Sequence, residues 1–432
     1  MVSSHSVFTN IRHLKSSIQH LVVSCSSCQE HPRAVLRVRK TFRHHACCSL
    51  KPRRENSAGP SRKWCGERNS GFHGGVACSA SSVEHARHRV VFLGTPEVAS
   101  SVLQLLLKAA DEPEATFEVA AIVTQPGRPR GRGSKKVAQP SPVAQLVLDR
   151  GWPEDRILSP VKASEELFLE QLAAIEPDLC ITAAYGNVLP SKFLAIPRFG
   201  TLNIHPSLLP KYRGAAPVQR AVQDGVRETG VTVAFTVRAM DAGPILAQEK
   251  VTVDDEIQAP QLLADLFRRG TELLLSRLPD VWSGRAAQLA TPQDDAAATH
   301  AAKLEKADGQ LDFREDAVVL HNKVRAFVGW PGTQTVLCIG SPNGTAEKEM
   351  EVKLTRTRVL REAGELPKGT GHVPHGFMEA FYDGRLLFPC GGGSVLQVLE
   401  LQPAGKKPMS AAAFWNGVKG RSLFVKVTLD NH

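Results

Sequence analysis

The chain has 432 residues, enough for two or three domains at roughly 100–200 residues each. Its apolar content of 42% supplies real cores, and no apolar run reaches the roughly 18 residues that a membrane-spanning helix requires. The formal charge of +10 suggests a nucleic-acid binder, but its distribution excludes a generally basic surface: residues 1–89 hold 15 Lys and Arg against 4 acids, whereas the remainder holds 38 against 39.

The first segment is rich in Ser, Arg and His and poor in acids, the composition of an organelle transit peptide. Ile11, Leu14, Ile18, Leu21 and Val22 recur at helical spacing beside Arg12, Lys15 and His20, as in an amphipathic presequence. No secretory apolar region with a clear cleavage site is present. Residues 1–88 are therefore read as a targeting presequence addressed to the mitochondrial matrix. A plastid or dual address is the alternative, since Val76–Ser81 (VACSAS) reads as a plastid-type processing site. A disordered basic arm that binds RNA is the competing reading. Cys25-x-x-Cys28, with His31, His44 and His45 nearby, resembles half of a zinc site but has no regular second ligand pair. Cys180, Cys338 and Cys390 read as small core residues in a reducing compartment.

From residue 89 the pattern becomes that of a folded chain. A buried strand, Val90–Leu93, meets a Gly94-Thr95-Pro96 turn and a helix from Val98 to about Ala109, the opening of a Rossmann-like unit. Pro96 and Ala99 occupy the later glycine positions of G-x-G-x-x-G, so the turn is no dinucleotide fingerprint. Strands are expected at Phe117–Gln125, Pro177–Gly186, Thr201–His205 and Gly230–Val237. Helices are expected around Glu165–Ile175, Pro217–Asp224 and Pro260–Leu278. Alternating strands and helices imply an α/β fold with a mainly parallel sheet over residues 89–283. Residues 284–302 are small, polar and Ala-rich and read as a linker. A helix around Ala317–Phe327 follows. Then come short apolar runs at Thr335–Ile339, Met350–Thr357, Arg385–Pro389 and Gly393–Leu401. Residues 303–432 are accordingly expected to form a small β-barrel, OB-like domain.

Polar residues gather where the strands end. Asn203 and His205, at i and i+2, point to one face of their strand, and Pro206 breaks it at once. Thr124–Lys136 (TQPGRPRGRGSKK) and Ala183–Pro190 (AAYGNVLP) each leave a strand in a Gly-containing turn. Asp241 lies in a tight Met240–Leu246 turn after a further strand. All of these stretches stand at or beyond the carboxyl ends of strands, so they are expected to meet in one crevice. Each alone has a plain structural reading: Asp241 as a turn former before Ala-Gly, Asn203 as a strand-edge cap, Arg213 and Gly214 as a helix-entry loop.

Three stretches are more specific together: T-Q-P-x-R-P-x-G-R-G from Thr124, S-L-L-P-x-Y-R-G-A-A-P-x-Q from Ser207, and LQPAGKKPMSAAAFWNG from Leu401. They resemble the methionyl-tRNA formyltransferases of bacteria and organelles, over residues 89 to about 425. The resemblance implies a Rossmann-like formyltransferase domain followed by a barrel-like domain. It implies formyl transfer from 10-formyltetrahydrofolate to the α-amine of methionyl initiator tRNA. It makes Asn203, His205 and Asp241 catalytic and lays Ser207, Leu208, Leu209 and Pro210 along the folate. A pterin needs an apolar slot with backbone hydrogen bonds, and Leu208, Leu209 and Pro210 beside the Val188–Pro190 loop are expected to supply it. Arg128, Arg132, Lys135 and Lys136, and further away Lys406 and Lys407, are the expected tRNA contacts. Gly127, Arg130 and Ser134 depart from the bacterial pattern in ways that concern RNA contact rather than catalysis.

The chemistry asks for these side chains. An amine attacking a formyl carbon generates an oxyanion, to which Asn203 and His205 can donate N–H groups. Asp241 can orient the imidazole and accept the amine proton. No metal is required. The chain is expected to act as a monomer, away from membranes. Formyl transfer to a small-molecule amine is the alternative; the basic loop at 124–136 and the second domain discriminate against it. A non-catalytic RNA-binding module has no need of the three catalytic side chains.

Overall fold

The structure, a computed structural model, describes residues 86–130, 137–340, 346–360, 373, 375–418 and 421–427. Residues 1–85 of the expected presequence, with the Cys25-x-x-Cys28 pattern, lie outside the described residues, as do Arg132, Lys135 and Lys136. Arg87 and His88, expected in the presequence, belong to the folded domain, His88 in the first strand and Arg87 donating to the Ala110 carbonyl.

Val90–Leu93 are wholly buried, both faces covered, as a central parallel strand demands. They belong to β1 (His88–Gly94), which is followed by β2 (Phe117–Val123), β3 (Ile157–Leu158), β4 (Leu179–Ala183), β5 (Thr201–His205), β6 (Glu228–Phe235) and β7 (Ile245–Thr252). The seven form one sheet in the order β7-β6-β5-β4-β1-β2-β3. β3 to β5 pair in parallel with their neighbours through β2, β1 and β4, while β6 runs antiparallel to both β5 and β7. The order reverses at β1, between β2 and β4, which opens a crevice at their carboxyl ends. There Thr95 donates to the Tyr185 carbonyl (3.0 Å), and the Gln125 side chain reaches the same carbonyl.

One face of the sheet carries Phe92, Leu202, Ile204, Val231 and Val233 and packs beneath helices α1 (Glu97–Ala110) and α2 (Ala259–Trp282). α2 buries Leu262, Leu266, Phe267, Leu274 and Leu278, at helical spacing; each buried leucine contributes on the order of 1.5–3 kcal/mol. Gly270 lets it approach: a Cβ there would stand 2.5 Å from the methyls of Ile204 and Val231. The other face carries Val91, Leu93 and Cys180 under Phe168, Leu172 and Phe193. That cover ends before β5 and β6, whose second face is closed by loops instead of a helix.

The second domain is a closed barrel. β8 (Thr333–Gly340), β9 (Ala346–Leu360), β10 (Phe377–Tyr382), β11 (Leu386–Pro389) and β12 (Val395–Pro403) precede β13 (Met409–Ser410) and β14 (Ser422–Lys426). The ring runs β9-β8-β14-β10-β11-β12 and returns to β9. Every pairing is antiparallel, and β13 adds to β12. Closure removes the exposed edges of so small a sheet. Leu337, Val352, Leu354, Phe388, Leu396 and Leu423 fill the interior.

Helix α3 (Ala317–Ala326) joins the two cores. Leu320 and Val324 pack into the barrel, whereas Ala326 and Phe327 join the core of the first domain. Arg220 pairs with Asp308 at 2.9 Å across the same junction. Burial works against the Asp308 charge, but Arg220 and the Glu305 backbone N–H outweigh it and hold the carboxyl below its ordinary pKa. His321 donates from Nε2 to the Asp255 carbonyl and meets Thr357 at Nδ1, both at 3.0 Å; burial holds its pKa below the ordinary imidazole value.

Residues 284–302, expected as a linker, are no slack tether. Thr291 exchanges two backbone hydrogen bonds with Ile245, and His300–Ala301 pairs in parallel with Arg213–Gly214. The basic loop also has more structure than its glycines suggest: Arg128–Arg130 and Val137–Gln139 form an antiparallel ribbon.

Candidate active site

Asn203 and His205 project from β5 onto the face of the sheet that has no helical cover over β5 and β6. The neighbouring strands show which face this is. Thr182 lies beside Asn203 in register, and its hydroxyl donates to Asn203 Oδ1 at 2.7 Å. That bond fixes the amide, because a hydroxyl held by this carbonyl oxygen leaves Nδ2 pointing the other way. Asn203 Nδ2 then donates to Asp241 Oδ1 at 3.4 Å.

Asp241 arrives by a route that differs from the expectation. It follows β6, which is antiparallel to β5 and ends beside its start: the Thr236 N–H donates to the Thr201 carbonyl. The Asp241 turn therefore does not leave the carboxyl edge with the other loops. It folds back over the open face and sets its carboxylate between Asn203 and His205. Asp241 takes a left-handed conformation, φ 51°, which Asp tolerates better than most residues. Two groups receive the carboxylate: the Gly214 N–H donates to Oδ2 at 2.9 Å, and His205 Nδ1 lies 3.6 Å from Oδ1. The second separation is ion-pair distance, longer than a hydrogen bond.

His205 is 4% exposed. Its Nε2 lies 3.0 Å from the Tyr212 carbonyl, which can only accept, so Nε2 carries a hydrogen. Both ring nitrogens thus face oxygen. Direct donation from Nε2 to a substrate oxygen requires exchange of the Tyr212 bond, whereas Asn203 keeps its second amide hydrogen. Tyr212 is itself held at φ 60°, with its hydroxyl donating to Asp224 at 2.8 Å. Burial and the Asp224 carboxylate raise the phenol pKa, so it remains a neutral donor.

The Ser207–Pro210 segment divides. Ser207 is 0% exposed and donates to the Lys211 carbonyl; Leu209 is 3% exposed, with its N–H on Thr232. Their side chains serve the loop itself. Leu208 and Pro210 are partly exposed and offer apolar surface, as does Val188, 72% exposed. Gln248 ties the segment down by donating to the Leu209 carbonyl at 2.8 Å.

Of the basic residues, Arg128 is exposed and donates to Gln125 beside the crevice. Lys406 and Lys407 are exposed on the turn between β12 and β13. Sequence reasoning missed Thr182, which only strand register reveals. It also missed Gln293, whose side chain binds the Asp241 loop from within the expected linker.

Comparisons with known proteins give two family matches along the chain. Residues 88–278 match the formyl transferase family and residues 303–419 match the formyl transferase C-terminal domain. The methionyl-tRNA formyltransferase of Methylococcus capsulatus is 40% identical over 330 residues, covering 76% of this chain and 96% of the relative. That of Bacillus licheniformis is 36% identical over 331 residues, covering 76% and 95%. A solved sugar 3N-formyl transferase, WlaRD, aligns with a TM-score of 0.49 and 15% identity over 74% of this chain and 99% of its own.

Gly243 supplies a test of the folded-back turn. A Cβ at this position would lie 1.7 Å from the Phe235 carbonyl oxygen, a backbone atom that cannot swing aside. Gly243→Ala should displace the turn and, where the Asp241 carboxylate acts on the substrate, slow single-turnover formyl transfer roughly 10²-fold. Far-UV circular dichroism should stay as in the parent. A variant with parental turnover would show that the turn does not set the position of Asp241.

Proposed function

The chain belongs to the methionyl-tRNA formyltransferases, and from that membership we propose that Asn203, His205 and Asp241 perform its reaction, the transfer of a formyl group from 10-formyltetrahydrofolate to the α-amine of methionyl initiator tRNA. The observation that carries this assignment is the convergence of the three side chains, from a strand and a folded-back turn, around one carboxylate. The amine nitrogen attacks the formyl carbon, and the carbonyl electrons move onto oxygen. The second Asn203 amide hydrogen donates to that oxygen, where a preorganised dipole stabilises developing charge. Asp241 takes the proton the amine must lose, directly or through water, and keeps the imidazole of His205 oriented. The bond from carbon to N10 then breaks, and N10 takes up a proton as tetrahydrofolate leaves. Replacing any of the three by Ala should slow the chemical step roughly 10²-fold or more, with much smaller effects on tRNA affinity. A folded His205→Ala enzyme that turns over like the parent would remove His205 from the reaction.

For the donor, Leu208, Pro210 and Val188 offer the apolar surface a pterin needs, and the Ser207–Pro210 backbone offers polar groups. For the acceptor, the ribbon that starts at Arg128 and the Lys406–Lys407 turn supply the local basic patches that a nearly neutral enzyme needs to hold a polyanion. Arg132, Lys135 and Lys136 extend the first patch in sequence. The second domain, intimately joined to the first, favours tRNA over a small amine as acceptor. Removing Lys406 or Lys407 should weaken tRNA binding and flatten its salt dependence, since each phosphate contact releases counterion. Arg132→Ala should impair formylation at limiting tRNA while formylfolate binding is kept. Unchanged salt slopes would take the lysines out of the interface.

Residues 1 to about 85 serve, on this reading, as a cleaved mitochondrial presequence, supported by their charge and composition. Residues 1–90 fused to a fluorescent protein should carry it into mitochondria, and an enzyme beginning at Ala86 should formylate as the full chain does. Diffuse fluorescence, or loss of activity on truncation, would show that the segment has another role.

A further inference from the structure

We propose that Gln293, in the segment between the two domains, is a positioning residue for the reaction, fixing Asp241 against His205; the proposal rests on the catalytic assignment above. The Gln293 amide uses its whole bonding capacity on the two loops that meet at the site. Its Nε2 donates to the carbonyls of Asp241 (2.8 Å) and Gly243 (2.7 Å). Its Oε1 accepts from Arg213 Nε (3.0 Å) and Nη2 (2.8 Å). The orientation of the amide is unambiguous, because carbonyls only accept and a guanidinium only donates.

The loops so joined are those that handle the catalytic groups. The first carries Asp241. The second, running on from His205, carries the Tyr212 carbonyl on His205 and the Gly214 N–H on Asp241. Each contains a non-glycine residue in the left-handed region, Asp241 at φ 51° and Tyr212 at φ 60°. Such conformations persist where surrounding contacts over-determine them. The segment around Gln293 supplies those contacts: Thr299 accepts from the Tyr212 N–H at 2.8 Å through its hydroxyl and from the Arg213 N–H through its carbonyl, and Asp295 takes Arg213 Nη2 at 2.7 Å. Gln293 is the member of this segment that bonds the backbone of Asp241 itself. Its loss leaves the carboxylate bonded to Gly214 but frees the peptide that aims it.

Two variants separate positioning from bulk stability. Gln293→Ala removes all four bonds. Gln293→Glu keeps the acceptor for Arg213 and sets oxygen against the carbonyls of Asp241 and Gly243. Both should slow single-turnover formylation about 10-fold or more, with KM for tRNA and for formylfolate within about twofold of the parent. In an Asp241→Asn background Gln293→Ala should cost little further, because a residue that acts by aiming a carboxylate has nothing left to aim. A parental rate in folded Gln293→Glu, or a double variant slowed by the product of the two single effects, would overturn the proposal. Parental activity in Asp241→Asn alone would instead overturn the catalytic assignment.

Discussion

The Asp241 carboxylate is the point on which the site closes. It is received by the Gly214 N–H on one oxygen and faces Asn203 and His205 with the other. Polar groups packed this closely against a largely buried sheet are costly unless they bond to one another. The carboxylate gives Asn203 and His205 that partner, and Thr182 and the Tyr212 carbonyl complete the set. The same bonds that satisfy the groups also aim them, so the stability of the buried network and its readiness for reaction have one origin.

The way the sheet is covered makes room for this arrangement. On one face α2 packs on β5 and β6 at a glycine, and the side chains there are apolar and buried. On the other, helical cover stops short, and loops lie directly on the strands. Loops bring backbone N–H and carbonyl groups to a surface where a helix brings only side chains, because a helix spends its backbone groups internally. The Gly214 N–H and the Tyr212 carbonyl are such groups. An antiparallel β6 adds the remaining condition: its turn begins at the far end of β5 and has to cross the open face, which carries Asp241 to the middle of the sheet.

The second domain is joined to the catalytic one more closely than a tethered module. Phe327 lies in the catalytic core, Arg220 pairs with Asp308, and residues 291–301 bond along the catalytic loops. On the proposed function, an RNA held on the barrel would be held by a surface joined to the site, and its aminoacyl end would be delivered without the entropy loss of ordering a free linker.

Much of this was legible in the sequence. Central strands such as Val90–Leu93 are continuous apolar runs, and their burial follows from composition alone. Asn203 and His205 share a face because of the two-residue period of a strand, and the loop motifs name the chemistry. Several barrel strands were also visible, but β10 (Phe377–Tyr382) and β14 (Ser422–Lys426) were not: β14 pairs only with strands far along the chain, and β10, though it forms a hairpin with β11, finds its other partner in β14. The antiparallel direction of β6 was not visible either, since a buried strand reads alike in both directions. Hence the expected crevice at the strand ends was only part of the site. Gln293 lay in a stretch whose small polar residues gave no periodic signal, 52 positions from the carbonyl it binds. What the sequence determined by itself is what local periodicity and residue chemistry encode: most of the strands and helices, and the polar residues that stand where strands end. The tertiary structure decided which distant segments bond to those groups, because a hydrogen bond between loops depends on strand direction and register, and neither is written in the residues that make it.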